Sequence, residues 1–314
     1  MGEKAYLREV GPRDGIQMAK SILATERKLE WCRRAAAAGV PEIEVTSFVP
    51  PKVVPQFFDA DPLAQGALAI GGFSAHALIV NLKGAERGIA HGLAKLTYVL
   101  SASEAHNLSN VRRSTNDSIE DFGRVVAYRN QQGAAGVRLV GGIATTFGCT
   151  IAGAVPEKRV VEIAAKLVEL GADEILLADT VGYANPVQVK RIVAAVRDEI
   201  GQLPLALHFH DTRGLGLANV TAGVETSVRH FDASLGGLGG CPFAPGATGN
   251  IATEDCVYLL EELGFDTGID VDALIALRRT VETWLPAERF AGSIARAGLP
   301  KTFRATHPTY RGDR

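Results

Sequence analysis

The sequence predicts an α/β fold closed into a (β/α)8 TIM barrel with additional C-terminal helices. Short apolar runs rich in β-branched residues alternate with longer segments of helical period, and eight such runs can be counted. Polar residues of unusual chemistry stand at the ends of several runs, as they would at one mouth of a barrel. The chain has 314 residues, whereas an α/β barrel uses about 250 residues as a single domain. The expected organisation is one barrel domain over 1–285 and a tail over 286–314 that packs on or near it.

The candidate strands are AYLREV (5–10), EIEVT (42–46), FSAHALIV (73–80), KLTYVL (95–100), VRLVGGIAT (137–145), EILLADT (174–180), LALHFH (205–210) and HFDASL (230–235). Between them the spacing predicts helices that include Thr25–Ala38, Asp117–Gln132, Pro156–Leu170, Pro186–Glu199 and Leu215–Ser227. Pro156 and Pro186 stand where a first-turn proline is tolerated, and Thr25 and Asn185 are plausible N-caps. Gly39 and Gly171 read as helix-ending glycines ahead of the next strand. After the eighth strand, helices around Ala252–Leu263 and Val271–Trp284 lead into the tail. Eight units joined by right-handed crossovers close most simply into a barrel. A doubly wound open sheet is the alternative, but no G-x-G-x-x-G follows the first strand. GPRDG puts Arg13 and Asp14 where phosphate-facing glycines would be.

Composition narrows the function classes. Hydrophobic residues make up 46% and aromatics 6%, a balance suited to a parallel sheet buried under helices. A net charge of −2 gives no electrostatic reason to expect nucleic acid or an anionic membrane. Cys32, Cys149, Cys241 and Cys256 lie far apart without a C-x-x-C pair, against a disulfide scaffold or structural zinc. There is no basic segment followed by an apolar one at the start and no apolar run of about 18 residues. A cytoplasmic protein without a membrane role is expected, in which the sequon at Asn107 has no consequence.

The sharpest chemical signal is LALHFHDT. His208 and His210, two apart on a strand, face one side and can share a metal ion. An isolated H-x-H is about as often a pair of core histidines, but this one has company. Arg13 and Asp14 follow the first strand, Glu44 and Thr46 end the second, Asp179 ends the sixth, and GGLGGCPFAPGATGN after the eighth carries Cys241 and Asn250. Asp14, His208, His210 and the Asn250 amide oxygen form a nitrogen and oxygen set without thiolate. Such a set suits Mg2+ or Mn2+ with open positions better than closed tetrahedral zinc, with a purely structural metal as the alternative. Glu44 reads either as a rim carboxylate or as a group that orients Arg13. His106 and Asn107 read either as an ordinary polar loop or as substrate contacts. Cys32 and Cys256 read as inert buried thiols, Cys149 is open, and Lys52, Arg112 and Arg113 read either as contacts to a ligand's phosphates or, by default, as solvated basic surface.

The segments EVGPRDGIQ, EVTSFVPPKVVPQ, HFHDT and GGLGGCPFAPGATGN, in this order and spacing, resemble the 3-hydroxy-3-methylglutaryl-CoA lyase family over roughly residues 5–285. The resemblance implies metal ligands at Asp14, His208, His210 and Asn250, catalytic roles for Arg13 and Cys241, and Glu44 and Asp179 in or beside the site. It implies a retro-Claisen cleavage of an acyl-CoA. In that reaction Arg13 faces the charge that develops on the thioester oxygen, and Cys241 protonates the departing carbon. Either Asp179 or a water on the metal is the base. Met18-Ala19-Lys20, Arg213-Gly214-Leu215 and the loop SEAHNLSNVRRST depart from the family pattern. They put the substrate in question more than the reaction, with Arg213 expected as an added cation near the metal. The expected substrate is 3-hydroxy-3-methylglutaryl-CoA; the alternatives are another 3-hydroxy-3-substituted acyl-CoA such as citramalyl-CoA, or condensation of acetyl-CoA with a 2-oxo acid. A catalytically silent acyl-CoA binder would have lost some of these residues, and a metallohydrolase has only the lone H-x-H in its favour. A homodimer is expected on base rates.

Overall fold

In the computed structural model, which describes residues 2–240 and 249–306, all eight predicted strands form. They are β1 (Tyr6–Glu9), β2 (Glu42–Ser47), β3 (Ser74–Ile79), β4 (Lys95–Ser101), β5 (Arg138–Ala144), β6 (Glu174–Asp179), β7 (Leu205–Phe209) and β8 (His230–Ala233). Each pairs in parallel with its neighbour in sequence, and β1 pairs with β8, which closes the barrel. Closure brings the ends of β1, β2, β7 and β8 together although they are far apart in the chain.

The helices that form the outer ring are α1 (Thr25–Ala37), α2 (Ala60–Ile70), α3 (Leu82–His91), α4 (Glu104–Val111), α5 (Thr115–Gln131), α6 (Glu157–Leu170), α7 (Pro186–Ile200), α8 (Gly216–Glu225), α9 (Thr253–Glu262) and α10 (Val271–Trp284), followed by short α11 (Ile294–Ala297) and α12 (Lys301–Thr306). Asn185 caps α7 as expected, its side chain accepting from the Gln188 amide at 3.0 Å ahead of Pro186 in the first turn. Thr25 does not cap α1. Ala24 holds the cap position, and the Thr25 hydroxyl instead donates to Asp59 at 2.7 Å, tying α1 to the start of α2. α5 begins at Thr115 rather than Asp117, because Ser114 and Asp117 form a reciprocal capping box.

Unlike barrels filled by branched aliphatic side chains, this one is charged near the N-terminal ends of its strands. Arg8 donates to Asp232 at 2.8 Å and Glu174 at 3.1 Å, and Lys95 donates to Glu42 at 3.1 Å and Glu174 at 2.8 Å. All but Glu42 are buried. Removing one partner of such a network costs about 3–5 kcal/mol, because the remaining charge is left unpaired away from water. Val140, Leu176 and Ala206 form a small apolar cluster apart from the large core between sheet and helices. They lie on strands β5, β6 and β7, where they cover the charged network.

Candidate active site

The first strand ends in a tight π-turn over Gly11–Gly15, in which the amides of Arg13, Asp14 and Gly15 all donate to the Val10 carbonyl at 3.1, 2.7 and 3.2 Å. Gly11 allows that turn to pack: a Cβ there would lie 2.3 Å from Glu9 Oε1 and 2.4 Å from the Trp31 ring. The turn carries Arg13 and Asp14 to the mouth of the barrel. Arg13 donates through Nη1 to Asp14 at 2.6 Å and through Nε to Glu44. Glu44 reaches it beside an irregularity in the β2–β3 register between Glu44 and Thr46, the kind of bulge that re-aims a strand side chain. Of its two expected readings, Glu44 takes the one that orients Arg13.

His208 and His210 lie on one side of β7 and its end, both buried, with rings 5.2 Å apart. The segment after the glycine loop returns antiparallel to the end of β7: the Asp211 amide donates to the Gly249 carbonyl at 2.9 Å and the Ile251 amide to the Phe209 carbonyl at 3.1 Å. That pairing sets Asn250 beside His210. The Asn250 Nδ2 donates to Asp14 Oδ2 at 2.7 Å and to the Leu238 carbonyl at 2.9 Å. Gly239, at φ +106°, is where the backbone passes closest; a Cβ there would lie 2.7 Å from Asn250 Nδ2.

Asp14, His208 and His210 offer ligand atoms that all lie within 4.8 Å of one another. Among the described residues, Asn250 Oδ1 and His210 Nδ1 are buried without a hydrogen-bond partner. Orphaned buried acceptors cost about 1–3 kcal/mol each, so the residues present fit a divalent cation. Burial alone would raise the Asp14 carboxyl, but the Arg13 charge and both histidines outweigh it and hold the group well below the usual carboxylate range. Burial would lower His208, yet the Asp232 carboxylate, 3.2 Å from Nδ1, raises it. Asp232 is in turn held by Arg8. This carboxylate fixes which His208 nitrogen carries the proton and leaves Nε2 for a metal.

A cavity of about 560 Å³ opens over these groups, lined by Arg13, Asp14, His208 and His210 on one side and by residues of β3 to β6 on the other. The expectations for Arg213 and Arg113 are corrected, whereas Asp179 keeps a place beside the site without lining the cavity: both its oxygens accept amide protons, from Tyr183 at 2.7 Å and Ala184 at 3.1 Å, so it braces the loop between β6 and α7 within electrostatic reach of His208 and His210. Its strand register pairs it with Phe209, which points to the outer core, rather than with a histidine. Arg213 is turned away from the metal ligands; it donates to the Val181 and Gly182 carbonyls at 3.1 and 3.0 Å and stacks over Tyr183. Arg112 and Arg113 both line the cavity: Arg112 is exposed, as expected of a basic surface residue, whereas Arg113 is part-buried and paired to Asp121 at 2.7 Å.

Asn107 is structural, stapling Ser101, Arg113, Ser114 and Ser118, while His106 lines the cavity with its Nδ1 2.8 Å from the Ser101 hydroxyl. Cys149 is buried and accepts from the amides of Ile151 and Ala152 at 3.3 and 3.4 Å, a turn-holding role. Cys32 and Cys256 are buried, and burial pushes the Cys32 thiol up to about 12. Cys241 lies outside the described residues. Asp232 and Arg8 are the partners of the site not expected from sequence; inward parity on β8 and β1 was their only signal.

A closed parallel barrel with an H-x-H pair, a strand-end aspartate and a fixed arginine at its mouth defines an α/β-barrel enzyme with a divalent-metal site. Comparison with known proteins gives the family: the HMGL-like family model matches residues 4–281, and the chain belongs to that family. It is 38% identical over 280 residues to a hydroxymethylglutaryl-CoA lyase of Bacillus subtilis, covering 89% of this chain and 93% of the relative. It is 41% identical over 296 residues to an (R)-citramalyl-CoA lyase of Chloroflexus aurantiacus, covering 91% of each. The solved structure of an HMG-CoA lyase from Acinetobacter baumannii in complex with coenzyme A and 3-methylmalate superposes with a TM-score of 0.89 at 43% identity, covering 95% of this chain and 96% of that one.

Proposed function

We propose that the chain is a divalent-metal-dependent carbon–carbon lyase that cleaves 3-hydroxy-3-methylglutaryl-CoA to acetyl-CoA and acetoacetate. The observation that carries this reading is the placement of Arg13 against the Asp14, His208, His210 and Asn250 cluster at the mouth of one cavity. The four clustered residues would hold Mg2+ or Mn2+, whose nitrogen and oxygen ligands suit either ion. When bound, such an ion supplies Lewis-acid chemistry that makes a tertiary hydroxyl easier to deprotonate.

In the reaction a base, either a water in the cavity or Asp179 beside it, takes the hydroxyl proton, the carbinol carbon becomes the ketone, and the bond to the acyl-CoA methylene breaks. The bonding electron pair passes to the thioester as an enolate. Arg13, held rigid by Glu44 and Asp14, is the fixed cation toward which that charge develops, and a single such donor is worth about 3 kcal/mol of barrier. Cys241 returns a proton to the methylene carbon, which completes acetyl-CoA; this role rests on the family resemblance. Asp232 keeps His208 in one tautomer, and the curved return of 249–252 keeps Asn250 in place.

The second reading, cleavage of citramalyl-CoA, is supported by the 41% identical relative of that name. Both substrates carry a hydroxyl and a methyl on the carbon next to the acyl-CoA methylene, so one site chemistry serves both. Among the described residues no helix is long and apolar enough to cross a membrane, and the free thiols of Cys32, Cys149 and Cys256 support a cytoplasmic setting. A homodimer is the expected assembly. The test is kcat/KM for the two acyl-CoA substrates side by side with Mg2+ or Mn2+, with products identified by mass spectrometry. Acetoacetate from the first substrate at the higher kcat/KM supports the first reading; pyruvate from the second at the higher value supports the alternative.

A further inference from the structure

The cavity has two chemically different sides. Arg13, Asp14, His208 and His210 form one; Leu78, Thr97, Val99 and Leu176 are the informative residues of the other. Register explains how the second side is built. Leu78 is paired with Thr97, and Val99, Gly142 and Leu176 lie abreast on β4, β5 and β6. Gly142 has no side chain, and a Cβ built on it would crowd Val99, Thr97 and the Tyr98 carbonyl at 3.2 to 3.3 Å, so glycine lets the Val99 and Thr97 side chains pack across β5. The result is an apolar notch of the cavity wall lined by Leu78, Val99 and Leu176. Leu176 closes it from below as part of the cluster with Val140 and Ala206.

No charged side chain lies among these four: Arg112 and Arg113, which also line the cavity, follow α4, with Arg113 paired to Asp121. The nearest cations beneath the plug, Arg8 and Lys95, are already paired with Asp232, Glu42 and Glu174. The only polar side-chain atom among the four informative residues is the Thr97 hydroxyl, buried and without a hydrogen-bond partner among the described residues. A carboxylate placed there would lose its hydration for a single hydroxyl, which is strongly unfavourable. An alkyl group would lose nothing.

We propose that this inner side seats the uncharged substituent on the hydroxyl-bearing carbon of the acyl-CoA, with the substrate carboxylate turned away from it toward the side of the cavity that carries the metal-ligand cluster, and that Leu176 limits the length of that substituent. The proposal rests on the lyase reading and extends it to a substrate class: acyl-CoA thioesters with a 3-hydroxyl and a 3-alkyl group, of which methyl is the smallest. Leu176 is thereby a specificity-determining residue.

The experiment measures kcat/KM for 3-hydroxy-3-methylglutaryl-CoA and its 3-ethyl and 3-propyl homologues with the metal-loaded wild type, Leu176→Ala, Leu176→Ser and Val99→Ala, each checked for folding by circular dichroism. Leu176→Ala is expected to shift the propyl-to-methyl ratio toward propyl by roughly 10-fold or more, the range that methylene-sized changes in an apolar pocket give. Leu176→Ser is expected to lower kcat/KM for the methyl substrate; a rise would place the carboxylate in the notch and overturn the proposal. Val99→Ala, on a different strand and only part-buried, is expected to move the ratio in the same direction and decides the matter if Leu176 variants do not fold. Ratios unchanged within about 2-fold in the folded variants, with an active wild type, would sink the alkyl seat alone. A folded, metal-loaded wild type that cleaves none of the homologues would sink the lyase reading and the seat with it.

Discussion

Replacing Asp232 with Asn keeps the side chain's shape and removes its charge. Asp232 accepts from Arg8 Nε at 2.8 Å through one oxygen and lies 3.2 Å from His208 Nδ1 through the other. An asparagine can accept through only one of its two termini. If its oxygen faces Arg8, the amide NH2 faces His208 Nδ1 and drives the imidazole proton to Nε2, the nitrogen a metal would use. If the oxygen faces His208, the NH2 abuts a buried guanidinium. Losing the carboxylate behind a metal-ligating histidine weakens metal binding about 10–100-fold, or roughly 1.4–2.8 kcal/mol. Breaking a buried ion pair costs about 3–5 kcal/mol of folding stability. Because Arg8 keeps Glu174 at 3.1 Å, the lower end, about 3 kcal/mol, is expected. Calorimetric titration with Mn2+ and urea unfolding of the metal-free protein read the two effects separately. Metal affinity within 2-fold of wild type would refute the role assigned to Asp232, even if stability fell.

The other expectations are independent of that one. Burial pushes the Glu9 carboxyl, which accepts from the Gly11 and Leu235 amides and the Thr253 hydroxyl, up to about 7 from an ordinary 4.5. The folded state thus holds this proton more tightly than the unfolded state, so the contribution is complete below about pH 4.5 and is lost as pH rises to about 7, by roughly 3 kcal/mol. Glu9→Gln, which mimics the protonated form, should flatten that part of the melting-temperature profile; a profile parallel to wild type would show that Glu9 does not titrate there. Gly239→Ala forces a methyl to within 2.7 Å of Asn250 Nδ2 at φ +106° and should cost about 1–3 kcal/mol of stability together with some metal affinity, both readable by melting with and without Mn2+. Cys241→Ser should leave Mn2+ affinity near wild type while turnover falls by orders of magnitude; near wild-type turnover would remove the cysteine from the acid role.

Strand positions were legible because a parallel sheet covered on both faces leaves short, β-branched apolar runs. The mouth of the barrel was legible because Asp14 closely follows such a run, His208 and His210 stand at the end of another, and Asn250 lies in the glycine-rich segment after the last. Which way a side chain points at a strand end was less so. His208 and His210 face inward, which sends Phe209 and its register partner Asp179 outward, but the register that makes Asp179 a loop brace is set by closure and not by local sequence. Arg213 lies in a loop, and its direction depends on the carbonyls of Val181 and Gly182 contributed by another loop. Asp232 and Arg8 sat in runs that read as ordinary strands. Their importance appears only when β8 is placed between β7 and β1.

The most direct test of the central claim is to run the reaction in D2O with 3-hydroxy-3-methylglutaryl-CoA and Mg2+, with and without chelator, and to weigh the acyl product. Metal-dependent acetyl-CoA carrying one deuterium in its methyl group, with an equal amount of acetoacetate, is the expected result, because the broken carbon–carbon bond is replaced by one solvent-derived hydrogen. Free coenzyme A with intact 3-hydroxy-3-methylglutarate would show thioester hydrolysis instead and would contradict carbon–carbon cleavage at this site.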